Sequence, residues 1–145
     1  MFVEEMGLAF TKLVPNFYFW FKNYATINEL SQLVNVFKYP VGVEWQGVFC
    51  YANRQEAEND DPGHYSLITA INTKDNFLFL ADPYPDYAGK DRRFTVLEFE
   101  RRWWDINEII DPKTKKRKEV DDYHVMFITT PTTAAFPLRL NMTRV

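Results

Sequence analysis

A histidine and an aspartate flank a short apolar hairpin of this chain, and side chains of these two types can move protons together. His64 precedes the apolar run 66–71, and Asp82 directly follows the apolar run 77–81. The residues between the runs carry a turn pattern, so the runs are predicted to pair as antiparallel strands. Counted from Lys74, His64 lies ten residues back and Asp82 eight residues forward, which brings both side chains to one end of the sheet. A carboxylate beside an imidazole fixes its tautomer and stabilises its protonated form, as in triads that activate a nucleophile.

A nucleophile that could complete such a triad is not evident. Cys50 is the only cysteine, and it follows a predicted strand instead of opening a helix, where a thiol becomes reactive; we therefore favour a half-buried core residue. Ser66 and Thr69 carry hydroxyls on a predicted strand, a setting that rarely exposes the oxygen for attack. Two interpretations of the pair stay open: proton transfer at an active site, or a histidine that caps the hairpin while Asp82 opens an Asp-Pro turn.

Aromatic residues near the Asp82 end of the hairpin could line a groove for a peptide. They are Tyr84, Tyr87, Trp103 and Trp104. The alternative is that Trp103 belongs to the core and the tyrosines cover a loop.

The sequence predicts neither a metal site nor a cofactor. One cysteine excludes an intramolecular disulfide and a cysteine-based zinc site, and two histidines are too few for a persuasive metal site. Asp60 with Asp61, and Asp82 with Asp86, offer oxygen atoms that suit calcium, but they lack EF-hand spacing and are predicted to be solvated loop acids. His124 lies on the last predicted strand and is expected to be a core or edge residue.

Composition and charge narrow the class of protein. The chain has 145 residues, 46% apolar and 17% aromatic, as expected for one packed globular domain. The net charge of −3 gives no broad basic field for nucleic acid, and the basic run 113–118 between flanking acids is predicted to be a solvated loop. Glu4 and Glu5 stand where a secretory signal would be positive, and charged residues interrupt the apolar stretch that follows. We expect a cytoplasmic protein that binds no nucleic acid and does not span a membrane.

The elements that must position these residues begin with helices. Residues 1–25 are rich in aromatic side chains and are predicted to be helical, with an interruption at Pro15. Thr26 and Glu29 form a capping box, and the helical spacing of apolar residues after it predicts an amphipathic helix to about Lys38.

Strands and a second short helix follow. Residues 41–46 alternate in polarity, which predicts a strand with one buried face. Another capping box opens a short helix over 95–103, residues 105–122 are predicted to be a polar connection, and residues 123–130 a final strand. The tail 131–145 is predicted to be an extended arm.

This order of elements predicts a single domain over 1–145. It comprises the aromatic-rich helical segment 1–25, a core over 26–130 and the C-terminal arm 131–145. The expected fold class is α+β, with an antiparallel sheet and helices packed on one side of it.

Four features in sequence order resemble the papain-like, double-glycine (bacteriocin-processing) cysteine peptidases, or C-thirty-nine-like peptidase domains. Residues 28–38 resemble the family's helix before a strand of the type hydrophobic-Pro-Val-hydrophobic-Val, here 39–43. Residues 63–65 (Gly-His-Tyr) resemble the start of the strand that bears the catalytic histidine, and 77–83 the strand that ends in the orienting Asp-Pro. Residues 94–103 resemble the helix that follows the active site.

This resemblance covers about half to two thirds of the chain, and it implies a papain-like half with His64 and Asp82 as the catalytic histidine and its orienting acid. It also implies a bacterial protein and a peptide or protein as substrate or partner. The family carries a glutamine and a Cys-Gly-Pro-like segment in an N-terminal helical subdomain, whereas residues 1–25 contain neither cysteine nor glutamine. We therefore expect a truncated or degenerate relative of a peptide-bond hydrolase, a pseudoenzyme that is inactive on its own.

Two other functions remain open. The first is a non-catalytic module that holds a peptide or protein in the same cleft, with residues 2–21 leaving apolar surface for a partner or a homodimer. The second, and weaker, is a thiol enzyme that uses Cys50 with His64.

Overall fold

The fold is α+β, built on a large antiparallel sheet. A computed structural model describes residues 2–47, 63–134, 136 and 140–145. The α-helices in this part of the chain are α1 (Val3–Leu13), α2 (Ile27–Ser31) and α3 (Val96–Arg102), and a short 3-10 helix spans Pro85–Tyr87. The strands are β1 (Phe17–Lys22), β2 (Val41–Gln46), β3 (Gly63–Asn72), β4 (Phe77–Ala81), β5 (Arg92–Phe94), β6 (Trp104–Ile110), β7 (Arg117–Tyr123), β8 (Met126–Pro131) and β9 (Thr143–Arg144).

Seven of these strands form one sheet in the order β5-β4-β3-β2-β8-β1-β9, and every neighbouring pair is antiparallel. The predicted hairpin is confirmed as β3 and β4, with β3 beginning earlier than expected, at Gly63. Trp45 of β2 pairs with His64 of β3, so these two side chains lie on the same face of the sheet. We call this the inner face.

The inner face carries the main core. The capping box that precedes α2 is confirmed: the backbone N–H of Glu29 donates to the Thr26 hydroxyl, and that of Thr26 donates to the Glu29 carboxylate. The helix continues as one π-helical turn (Gln32–Val36) and packs Leu30 and Leu33 onto the inner face. Helix α3 adds side chains to the same core, which includes Trp45, Phe99 and Trp103.

The opposite, outer face is covered as well, so the prediction that helices pack on one side only is wrong. Helix α1 lies against β1, where Val3 and Phe19 are buried in a second apolar cluster with half-buried Phe127. Gly7 allows this approach, since a Cβ atom there would lie 2.7 Å from the Phe19 ring.

Residues 105–122 are not a polar connection, as the sequence predicted, but most of a β-hairpin. Strands β6 and β7 pair in register, for example Asn107 with Val120, and β6 contacts β2 across the outer face. All six residues of β2 are therefore buried, including Glu44 and Gln46, which corrects the expectation of a single buried face.

The two ends of the chain also differ from the predictions. Residues 17–22 form strand β1, not a helix, and pair with β8. Tyr123 ends β7, and the final long strand begins only at Met126. Within the predicted arm, Thr143 and its neighbour pair with β1 as the short edge strand β9. None of the described helices has the length and apolar character that crossing a membrane requires.

Candidate functional site

The predicted proximity of His64 and Asp82 is confirmed. His64 is the second residue of β3, Asp82 directly follows β4, and the pairing of Leu67 with Ala81 brings the two positions to the same end of the hairpin. The Nε2 atom of His64 lies 2.8 Å from Oδ1 of Asp82. The side chain of Asp82 is fully buried and that of His64 is 12% exposed, so the contact is shielded from water at the acid and reaches the surface at the imidazole.

The geometry assigns the tautomer of the imidazole. An ionised carboxylate only accepts hydrogen bonds, so Nε2 of His64 carries the hydrogen and donates a hydrogen bond to Asp82. In the neutral ring, the lone pair of Nδ1 is then available to accept a proton. The adjacent Cδ2 corner packs on Gly47, where a Cβ atom would lie only 2.6 Å away. The Nδ1 edge lies on the other side of the ring, and no described residue forms a hydrogen bond with it. The Tyr84 ring meets the imidazole edge to face at a centroid distance of 5.7 Å.

Three groups besides burial decide the protonation of Asp82. Its Oδ1 also accepts from the backbone N–H of Tyr84 at 3.0 Å, and its Oδ2 accepts from Nη1 of Arg92 at 2.7 Å. Burial raises the pKa of the Asp82 carboxyl, but the Tyr84 N–H, the Arg92 guanidinium and the His64 imidazole outweigh it and lower that pKa below its ordinary value. Asp82 is therefore a charged acceptor at neutral pH.

Arg92 is a member of this site that the sequence reasoning missed. It opens the three-residue strand β5, and its guanidinium lies 4.2 Å from the Tyr87 ring centroid and 4.9 Å from that of Phe94. Both of its terminal nitrogens also approach the backbone carbonyl oxygen of Gly47 at 3.4 Å. The sequence signal that could have identified it is an arginine that comes shortly after Asp82 and the aromatic residues Tyr84 and Tyr87.

The two hydroxyl candidates, Ser66 and Thr69, form hydrogen bonds with groups other than the imidazole. The Ser66 hydroxyl is buried and accepts a hydrogen bond from Nε1 of Trp45 at 3.0 Å. Thr69 is exposed, and its hydroxyl donates to the Asp91 carboxylate at 2.6 Å. Cys50 lies outside the described residues.

The four aromatic candidates divide into two pairs. Tyr84, 41% exposed, and Tyr87 border the site, whereas Trp103 and Trp104 are buried in the interior. His124 lies in the turn between β7 and β8 instead of on a strand, and its ring stacks on Trp103 at 4.8 Å.

No group of three or more potential metal ligands occurs among the described residues. Asp86 is exposed on the loop after β4, and Asp60 and Asp61 lie outside the described part of the chain. The basic run 113–118 forms the turn and the start of β7 at the tip of the β6–β7 hairpin, and all of it is exposed, as expected for a solvated segment.

A second polar cluster lies on the outer face, behind the same end of the sheet. We call Glu44, Gln46, Asp105 and Asn107 the outer polar layer; all four are buried between β2 and β6. The side-chain amide of Gln46 donates to Asp105 Oδ1 at 3.1 Å. Burial raises the pKa of the Glu44 carboxyl; the hydrogen bond with Tyr65 opposes this effect without cancelling it. Glu44 is thus held toward its neutral form, in contrast with Asp82.

An open apolar pocket of about 260 Å³ lies next to these clusters. Its lining comes mainly from outer-face side chains of the β3–β4 hairpin and β8, including Tyr65, Leu67 and Phe127, and Pro83 beyond the end of β4 completes it. Leu67 is 44% exposed, so the pocket presents apolar surface to solvent.

Comparison with known proteins identifies no relative of this chain. No family model, no curated protein and no solved structure matches the chain.

Proposed function

We propose that this chain is a papain-like, cysteine-peptidase-related domain in which His64 and Asp82 are kept as the proton-transferring half of an acyl-transfer site. The observation that supports this most directly is the 2.8 Å contact between Nε2 of His64 and the buried Asp82 carboxylate. It leaves Nδ1 as the basic atom of the ring, on the edge away from Gly47. A buried acid, a partly exposed imidazole and a defined tautomer are what general-base catalysis needs.

In the proposed reaction class, a thiol would give its proton to Nδ1 of His64 while its sulfur forms a bond to a peptide carbonyl carbon. As the C–N bond breaks, the imidazolium returns that proton to the leaving amine. Water then attacks the thioester, gives one proton to Nδ1, and releases the acid and the thiol. Asp82 accepts the Nε2–H bond throughout and stabilises the imidazolium.

The hydroxyls of Ser66 and Thr69 form hydrogen bonds with other groups, so we propose that the 145 residues do not cleave peptides on their own. The test is hydrolysis of a fluorogenic peptide library by the purified chain and by His64→Ala. We expect both to equal the buffer blank. Cleavage by the wild type that His64→Ala abolishes would contradict the inactivity, and Cys50 would then be the first nucleophile to replace.

Whether the pair can still activate a sulfur is tested by supplying one. In a Cys50→Ser background, Tyr84→Cys introduces a single thiol at a position whose native ring contacts the imidazole. We expect iodoacetamide at neutral pH to alkylate this thiol about tenfold faster than in the same protein carrying His64→Ala, because a neighbouring imidazolium lowers a thiol pKa. Equal rates in the two proteins would count against a working pair.

A peptide-binding module is the second candidate function, and the apolar pocket on the outer face favours it. Leu67 and Phe127 contribute to a lining with almost no polar surface, which fits one large apolar side chain of a peptide. We expect N-acetyl-leucine amide to perturb the NMR signals of Leu67 but not those of Leu97, which is exposed on helix α3. Uniform perturbation of both leucines would indicate nonspecific contact and exclude this function for the pocket.

A second copy of this chain is the partner that we propose for helix α1. Leu8 is 54% exposed and Leu13 is 81% exposed, and both border a shallow apolar surface on the helix. Light scattering should give a dimer mass that falls to the monomer mass in Leu13→Glu. A monomer in the wild type at high protein concentration would exclude the dimer.

A further inference from the structure

We propose that Arg92 is the positioning residue of the His64–Asp82 pair: it holds the second carboxylate oxygen of Asp82 and the backbone of Gly47, and so fixes the imidazole at its Nε2 and Cδ2 corners. The inference rests on the proposed function in that it concerns the same site. It goes further in assigning a role to a side chain outside the pair.

The two oxygens of the Asp82 carboxylate have separate partners. Oδ1 accepts from His64 Nε2 at 2.8 Å and from the Tyr84 backbone N–H at 3.0 Å, whereas Oδ2 accepts from Arg92 Nη1 at 2.7 Å. A carboxylate held at one oxygen only can rotate about its last side-chain bond. With Oδ2 fixed by a charge-assisted hydrogen bond, Oδ1 stays directed at the imidazole.

The guanidinium is itself held in place, which a positioning residue requires. Its side chain is 14% exposed, and its central carbon lies 4.2 Å from the Tyr87 ring centroid, 4.9 Å from that of Phe94 and 5.5 Å from that of Trp45. Aromatic rings on several sides restrict its rotamers and favour its positive charge. The long side chain of Arg92 is thus held in one conformation.

The same guanidinium also contacts the backbone of Gly47, the residue that packs against the imidazole. Nη1 and Nη2 of Arg92 approach the carbonyl oxygen of Gly47 at 3.4 Å, and the Cδ2 corner of His64 packs against Gly47. One side chain therefore connects the acid at Nε2 of the ring with the backbone at the adjacent Cδ2 corner. A lysine, a point charge without a planar fork, cannot bridge both groups in this way.

The test is the exchange with water of the Nε2 proton of His64, measured by NMR without any substrate. We expect a slowly exchanging, hydrogen-bonded signal in the wild type and about tenfold faster exchange in Arg92→Leu, since one charge-assisted partner of the acid is lost. The matched control is Arg93→Leu: Arg93 is the next residue, is exposed and lies over Phe77 at 5.0 Å, away from the site. It should leave the exchange rate unchanged.

Unchanged Nε2 exchange in a folded Arg92→Leu would overturn the proposal, because a residue that only fills space is replaced well by leucine. If that variant does not fold, Arg92→Lys takes its place and should show exchange between the wild-type and leucine expectations; wild-type exchange in it would also overturn the proposal. The readout is independent of the proposed function, since thiol activation in Tyr84→Cys can fail while the Nε2 proton still responds to Arg92.

Discussion

Two acidic side chains on opposite faces of the same sheet end are both buried, but the fold shifts their pKa values in opposite directions. Asp82 on the inner face is 8% exposed as a residue, and Glu44 on the outer face is 2% exposed. The pKa of Asp82 lies below its ordinary value because hydrogen bonds and Arg92 outweigh burial, whereas the pKa of Glu44 lies above it because burial prevails. Burial alone does not decide the charge of an acid; the supply of a cation and of N–H donors does.

The hydrogen bonds of the two acids differ in the same way. Both oxygens of Asp82 have partners. On the outer face, Oε2 of Glu44 and Oε1 of Gln46 are buried without a hydrogen-bond partner in the described structure. Unpaired buried oxygens cost free energy, so the outer polar layer is the less stable of the two arrangements.

The largest expected effect comes from removing the inner acid. Asp82→Ala leaves the Arg92 guanidinium, 14% exposed, without its anion, and we expect the free energy of unfolding to fall by about 3 kcal/mol. Urea denaturation at neutral pH measures the loss. The double variant Asp82→Ala with Arg92→Leu is the control and should recover part of it. A fall below about 0.5 kcal/mol in Asp82→Ala would show that the ion pair does not stabilise this end of the sheet.

Substitution of two glycines by alanine should give an intermediate loss of stability and distinguish the contributions of the two sheet faces. A Cβ atom at Gly47 would lie 2.6 Å from Cδ2 of His64, whereas one at Gly63 would contact the carboxylate of Asp105. Each alanine substitution should cost about 1–3 kcal/mol by overpacking. Gly47→Ala should shift the NMR signals of the imidazole, and Gly63→Ala should increase amide exchange in β6. If both variants changed the imidazole signals and the amide exchange in β6, the two faces would not be structurally independent at this end of the sheet.

The smallest expected effect has the opposite sign. Glu44→Gln removes an acid that the fold holds toward its neutral form, so it should raise the free energy of unfolding by about 1 kcal/mol at neutral pH. An acid whose pKa is raised on folding destabilises the fold as pH rises above the unfolded value, about 4.3 for glutamate. The gain should therefore vanish below that pH in thermal unfolding measurements. A gain that persists unchanged in acid would assign it to packing.

The proximity of His64 and Asp82 could be predicted because it depends on local pairing. The two apolar runs 66–71 and 77–81 are joined by a short turn, so their order and their common end follow from the sequence. Their use in catalysis and the papain-like family stay predictions, because the described part of the chain contains no thiol and no known protein or structure matches the chain.

The outer polar layer could not be predicted from local pattern. Asp105 and Asn107 look like residues of a solvated connection, but they face buried polar side chains of β2 instead of water. Residues 17–22 pose the opposite problem, since an uninterrupted aromatic and apolar run fits a helix or a strand buried on both faces. It is a strand because Phe19 packs under α1 while Trp20 enters the main core.

The strand order has a consequence for how the molecule folds. The hairpin that carries His64 and Asp82 closes over a short loop, whereas the pairing of β1 with β8, including the hydrogen bond from Trp20 to Thr130, joins residues 110 positions apart in sequence. Contacts between distant segments form slowly because a large loop must be ordered first. The His64–Asp82 pair should therefore come together early in folding, and the sheet should close around it in the rate-limiting step.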